Sequence, residues 1–549
     1  MPFYKLYKPY LFFILFSLIL ILGCKFRQKV NLIVHNATIY TVNEKFDTAQ
    51  AMAIRDGKIL AIGSNDEILK EFEADEMKDA EGKIIFPGFI DAHAHFVGYG
   101  FGLQQVNLNG TKSWQECIDR ISIFVKERNI KNGDWILGGG WDQNDWAIQQ
   151  FPTKELLDAN FPNNPISLER VDGHASVVNQ VALNLGNVKP NQTITGGTVE
   201  TINGKLTGIL IDNARTFILP PPASKESYTK ALKEAQQNCF AMGLTTIVDC
   251  GLNKKDVDII DALQKEGILK MKLNIMLSDD SINYAYYLKN GPYKTDRLNV
   301  NGFKLYADGA LGSRGACLLH PYSDKPNWQG FLLKDRSYFE KVLPLIYSSK
   351  FQANTHAIGD SANRIILQLY GTLLKGKNDR RWRIEHAQVI NENDFNLFGV
   401  NSIVPSVQPT HATSDMYWAK ERLGEEREKG AYAYQQLLKQ NGWISLGTDF
   451  PVEDINPFKT FLAAVARQDA SGYPTNGYQK QNSLTREQTI KGMTIWAAKA
   501  SFEEKEKGSL EKGKAADFII VDTDLMRCTV ENILKTKVIS TYINGEKVK

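Results

Sequence analysis

Only eight histidines occur in this chain of 549 residues, at positions 35, 93, 95, 174, 320, 356, 386 and 411. Two of them, His93 and His95 in FPGFIDAHAHF, stand two apart. Side chains on a β-strand alternate faces, so i and i+2 point the same way and two imidazoles can share one cation. His356 in ANTHAIGD, His386 in RIEHAQ and Asp449 in SLGTDFPVE each close a short apolar run of strand length. Each could be a separately satisfied polar core residue. Five such groups at equivalent strand ends argue instead for one shared site that binds a divalent ion and activates water.

The elements that must position these residues are legible as alternation. Short apolar runs trade with helical text along the middle of the chain, the pattern of a parallel β/α sheet. Strands are predicted at 84–91, 245–250, 271–277, 302–308, 352–357, 381–387, 402–409 and 444–449. Eight such units predict a closed barrel of the TIM type, whose active site lies at the C-terminal strand ends. The gap between the first two strands exceeds any ordinary crossover, so residues 96–235 are expected to hold an insertion. The text from Val30 to about Ile85 reads as short strands, with Asp56-Gly57 as a hairpin signal, and the last segment repeats it with Asn544-Gly545. The two β-rich ends are expected to pair as a small sandwich. The predicted organisation is an α/β fold with sandwich parts at 30–85 and 501–549 and the barrel at 86–500. Glu385 adjoins His386 on a strand and is expected to face the opposite side.

FPGFIDAHAHF, GFKLYADGALGSRGACLLHPY, THAIGD, RIEHAQ, SVQPTH and LGTDFPVEDINPF together resemble the amidohydrolase superfamily of metal-dependent hydrolases. Within it they resemble the branch that includes N-substituted formamide deformylase. The resemblance implies a distorted eight-stranded β/α barrel beside a small β-sandwich. It also implies a metal centre of His93, His95, Lys304, His356, His386 and Asp449. An ammonium beside cations would be repelled, so the resemblance implies that Lys304 becomes a CO2-derived carbamate bridging two metals. A one-metal site, with Lys304 paired to Asp308 or to substrate, stays open. Imidazoles and carboxylates suit Zn(II). The implied chemistry is attack by a metal-activated hydroxide, with Asp449 carrying the proton to the leaving nitrogen. His411, after strand 7, faces the same rim and is expected to stabilise the oxyanion. His174, Arg314 and Asp142, the last beside Trp141, are candidate substrate contacts, with loop stabilisation open for His174, ordering of its glycine-rich loop open for Arg314, and a core role open for Trp141. His35 and His320 are read as structural.

Composition sets the remaining bounds. Lys and Arg number 65 against 62 Asp and Glu, a net charge of +3 with no basic tract, so a nucleic-acid partner has no electrostatic support. Six cysteines are too few for a disulfide scaffold. Lys5 and Lys8 precede an apolar run from Tyr10 to Leu22, too short to span a bilayer but long enough for a signal peptide. The run ends in Ile21-Leu22-Gly23-Cys24, which resembles the lipobox of bacterial lipoproteins. Residues 1–23 are therefore expected to be removed and Cys24 lipidated, leaving a net charge of +1. Lys25 is not the aspartate linked to inner-membrane retention, so the expected location is the outer membrane, facing the periplasm. The expected activity is hydrolysis of an amide or formamide C–N bond in a small molecule. A lactone, ester or cyclic-amide hydrolase and a non-catalytic lipid-anchored binding protein are the alternatives, and a homodimer is left open.

Overall fold

A computed structural model describes residues 27–549. The expected signal segment and Cys24 lie outside the described residues. Among these no helix is long and apolar enough to cross a membrane.

The chain divides into two compact units, residues 97–235 and the remainder. The larger unit holds eight strands joined in a parallel, nearly closed barrel: β1 Phe89–Ala94, β2 Leu244–Leu252, β3 Lys272–Ser278, β4 Leu298–Tyr306, β5 Gln352–Ala357, β6 Arg383–His386, β7 Val404–Val407 and β8 Ser445–Leu446. Every residue of β1, β6 and β7 is buried, as expected of parallel strands covered on both faces. The sheet path ends at β1 and β8, and the turn after β8 bonds back onto β1. Asp449 N–H donates to His93 O (2.7 Å), and His95 N–H donates to Phe450 O (2.8 Å). The expected α/β barrel is therefore the observed fold.

One predicted strand proves to be two. Residues 84–91 were expected to be continuous, but Ile84–Pro87 belongs to the sandwich and pairs antiparallel with Phe518–Val521, while β1 begins at Phe89. Gly88 makes the joint. A Cβ there would lie 2.3 Å from the Thr245 side chain, so only glycine lets the backbone pass from one sheet to the other.

The sandwich is built from both chain ends. A four-stranded sheet of N-terminal strands faces a six-stranded sheet that mixes Thr38–Tyr40, Thr48–Ala49 and Ile84–Pro87 with three C-terminal strands. Leu32, Val34, Met52, Ile85, Phe518 and Tyr542 fill the space between. A buried ion pair fastens the sandwich to the foot of the barrel. Lys272, the first residue of β3, reaches both Asp517 oxygens (2.7 and 2.9 Å) and Asn544 Oδ1 (2.6 Å).

The smaller unit has its own seven-stranded sheet, running from Thr193–Ile194 at one edge to Val106–Asn107 at the other. Its core includes Leu108, Ile118, Trp141, Trp146 and Leu168.

Candidate metal centre

Strand β1 carries Asp91 and His93 at i and i+2 on one face, and His95 follows its last residue. Asp91 lies deepest and ties β1 to the turn after β8. Its Oδ1 accepts the N–H of His93 (3.1 Å) and of Thr448 (3.0 Å), and its Oδ2 accepts the Thr448 hydroxyl (2.6 Å). Burial pushes its carboxyl up to about 7. The Thr448 turn carries Asp449, whose backbone takes the left-handed conformation (φ 65°). That conformation, sparsely used outside glycine, turns the carboxylate toward the histidines.

Asp449 Oδ1 lies 3.2 Å from His95 Nε2 and 3.6 Å from His93 Nε2, while Oδ2 lies 3.6 Å from His411 Nε2. Burial works to raise its carboxyl, but the approach of His95 and the fields of His93, His386 and His411 outweigh it and hold it well below the usual range. The rings of His356 and His386 sit 4.6 Å apart, those of His93 and His386 4.8 Å, and His411 stacks on His386 at 5.8 Å. His411 reaches this position because Pro409–Asp415 starts a helix directly after β7, with proline at its first turn. Lys304, buried near the end of β4, places Nζ 3.1 Å from His93 Nε2 and 5.1 Å from the Tyr306 ring. Among the described residues no carboxylate lies within ion-pair distance of that Nζ. The expected alternative partner, Asp308, instead accepts the N–H groups of Cys317, Ile358 and Gly359.

The far nitrogens of two histidines are already engaged. Glu385 Oε2 accepts from His93 Nδ1, and Gln408 Oε1 accepts from His386 Nδ1 (2.8 Å). Their Nε2 atoms therefore carry the lone pairs. Burial, helped by the Lys304 charge, pushes His93 down to about 4 and His356 to about 3. Burial and the neighbouring histidines hold His386 well below the ordinary value. His356 Nε2, His411 Nε2 and Asp449 Oδ1 are buried without a hydrogen-bond partner. Buried polar atoms are almost always paired, and His411 Nε2 and Asp449 Oδ1, unpaired within one cluster, form a donor set open to a ligand, while His356 Nε2 lies 3.5 Å from Asp308 Oδ1. Two triads, His93–His95–Asp449 and His386–His411–Asp449, each hold donor atoms within 4.8 Å of one another. Imidazole nitrogens and a carboxylate at that spacing fit a divalent metal ion. The groups line a cavity of about 360 Å³, whose apolar side includes Leu311, Ile358, Trp418 and Val452.

The profile of an amidohydrolase family matches residues 76–549. The chain belongs to the amidohydrolase family. The protein LONG AFTER FAR-RED 3 of Arabidopsis thaliana is 34% identical to this amidohydrolase over 94% of this chain and 91% of its own. The N-substituted formamide deformylase of Arthrobacter pascens is 26% identical over 94% and 98%. An uncharacterized metal-dependent hydrolase from Pyrococcus horikoshii superposes with a TM-score of 0.77 at 28% identity, covering 91% of this chain and 99% of that one. This amidohydrolase is thus a hydrolase of a metal-dependent family, with a histidine–aspartate cluster able to hold the ion.

The other expected contacts have local partners. The Arg314 guanidinium is held by Asp324 (2.8 and 3.1 Å), a carboxylate it shares with Arg422, so it orders its own loop instead of presenting a charge to substrate. In the smaller unit, His174 is exposed and donates to Asp212 (2.8 Å), which raises its pKa. Asp142 caps a short helical turn and pairs with Arg170 (2.8 Å), while Trp141 is fully buried core with its N–H on Leu168 O.

Glu385 corrects the sequence reading. It lies inside the barrel with its carboxylate on His93, and does not face away from the centre. The reason is the backbone at His386, whose φ of 73° breaks the alternation, so neighbouring residues both reach the interior. The available signal was Arg383-Ile384-Glu385: two opposite charges at i and i+2 within an apolar strand have to be buried together.

Proposed function

We propose that this protein is a metal-dependent amidohydrolase that cleaves a non-peptide C–N bond, an amide or formamide, in a small molecule. The observation carrying the reading is the set of open donor atoms at the barrel mouth, with the far side of His93 and His386 already hydrogen-bonded. His93, His95, His356, His386, Lys304 and Asp449 would hold the ion or ions, Zn(II) suiting the donor set best. When bound, the ion supplies a Lewis acid and a water of lowered pKa at neutral pH. Asp449, kept ionised, accepts the proton of the attacking water and returns it to the leaving nitrogen. His411 lies close enough to Asp449 to stabilise the developing oxyanion. Lys304, buried with no carboxylate to balance an ammonium, suits the carbamate form. The formamide choice is supported by the deformylase relative and by the apolar wall of Leu311, Ile358, Trp418 and Val452, which fits an N-substituent better than a charged group. Cys24 provides the lipid anchor at the envelope.

The test strips the protein with chelator, reloads it with zinc, and screens N-formyl and N-acetyl amines beside lactones, esters and cyclic amides. Zinc-dependent release of amine from the first group is expected. Turnover confined to the second group overturns the amide assignment. No bound divalent ion after gentle purification and no turnover after reloading overturns the enzyme.

A further inference from the structure

Beneath the donor cluster lies a fully buried charged pair that the proposed chemistry does not use. Arg383 and Glu385 stand two apart on β6, both with no solvent exposure, and so does His93. Arg383 Nε lies 2.7 Å from Glu385 Oε1, and its Nη2 reaches Ala92 O (2.7 Å) on β1 and Ser406 Oγ (2.7 Å) on β7. Arg383 thereby ties β6 to β1 and β7 beside Glu385, whose Oε2 accepts from both Arg383 Nη2 (3.1 Å) and His93 Nδ1.

We propose that Arg383 and Glu385 are positioning residues that set the tautomer and donor strength of His93 and aim its Nε2 at the metal centre. A carboxylate only accepts hydrogen bonds, so Nδ1 must carry the proton and Nε2 the lone pair. A negative acceptor behind an imidazole also strengthens it as a ligand. Glu385 in a dry barrel needs a counter-charge, which Arg383 supplies, its Nη2 donating to Glu385 Oε2 (3.1 Å), the same oxygen that accepts from His93. A pair serving stability alone would be replaceable by apolar side chains of similar size without loss. A pair engaged with a ligand would not. His386 provides the contrast within the same site, since its Nδ1 rests on the neutral amide of Gln408.

The inference rests on the metal-centre reading and is tested on the full chain by chelator competition for Zn(II) and by the visible absorption of the Co(II)-loaded protein. Glu385→Gln, which keeps an acceptor but removes its charge, should weaken affinity about tenfold. Arg383→Met/Glu385→Met, which removes acceptor and counter-charge together, should approach about a hundredfold. Both should shift the Co(II) bands. In a His93→Ala background the Glu385→Gln loss should vanish, because Glu385 acts through His93. Equal loss in both backgrounds, or variants that bind and absorb like the wild type, overturn the inference and leave the metal centre standing. A wild-type protein that binds neither ion overturns both. Should Glu385→Gln fold poorly by stranding Arg383, Arg383→Met/Glu385→Gln removes both charges with the amide oxygen still on His93, and the same tenfold expectation applies.

Discussion

Replacing Asp449 by asparagine separates holding the ion from moving the proton. The carboxylate has imidazole nitrogens at 3.2 and 3.6 Å from Oδ1 and at 3.6 Å from Oδ2. Asparagine keeps the shape and one oxygen, so the amide carbonyl can stay toward His93 and His95. Only charge and the proton-accepting oxygen are lost. Donors from His93, His95, His356, His386 and Lys304 remain, so affinity should fall by no more than about the 10–100-fold typical of a weakened ligand shell. Loss of the acid–base group removes about 10²–10⁴-fold in rate, or about 3–5 kcal/mol of barrier at roughly 1.4 kcal/mol per tenfold. Single-turnover rates at saturating zinc and substrate, with metal content measured on the same sample, read the two effects apart. A fully metallated Asp449→Asn enzyme within about threefold of the wild-type rate, under 1 kcal/mol, would remove Asp449 from the proton path.

Lys272→Met strands the Asp517 carboxylate, 5% exposed, at the foot of the barrel and should cost about 3–5 kcal/mol in urea unfolding. Lys272→Met/Asp517→Leu should recover much of that, and a single variant within about 1 kcal/mol of wild type contradicts the reading. Acidification should destabilise the chelated protein. His93 and His356, at about 4 and about 3, and His386, held well below its ordinary value, stay neutral in the fold but protonate near 6.5 when unfolded, so the unfolded chain binds more protons and stability falls from pH 6.5 toward 4. Asp91 and Asp308, raised to about 7, take up protons first in the fold and oppose this. The three histidines, joined near pH 4 by Glu385 and Asp449 whose carboxyls are held low, are expected to outweigh these carboxyls, so urea midpoints should fall on acidification. A midpoint level or rising on acidification contradicts it. Cys24→Ser should move the protein to the aqueous phase of a detergent partition, and retention in the lipid phase refutes the anchor.

The barrel and its histidines were legible because their signals are local and periodic. An apolar run ending in histidine states both a strand and a rim position, and His93-Ala-His95 states the shared face outright. What lay outside that grammar depended on backbone detail. The φ of 73° at His386 brings Glu385 and His386 to the same interior, and strict alternation assigns one of them outward. Gly88 splits an apolar run that reads as one strand, because the close pass over Thr245 is a tertiary contact. Arg314 reads equally as a carboxylate binder or as a residue that orders its glycine-rich loop, and Asp324, ten residues on, folds back to make it the second.

A polar cluster inside a barrel can be either a satisfied core network or a site, and the hydrogen bonds distinguish them. In a satisfied network both ends of every imidazole find partners. Here Nδ1 of His93 and of His386 is bonded on the inner side, while Nε2 of His411 and Oδ1 of Asp449 have no hydrogen bond on the side that opens to the cavity. Each buried orphan costs about 1–3 kcal/mol relative to a paired group, which weighs against a net stability of only about 5–15 kcal/mol. A ligand bound only by the folded state returns stability as RT ln(1 + [L]/Kd), about 4 kcal/mol at a thousandfold excess over Kd. The unpaired front of the cluster is thus most simply the thermodynamic counterpart of a tightly held ion, and it predicts that adding metal stabilises the fold by an amount of the same order.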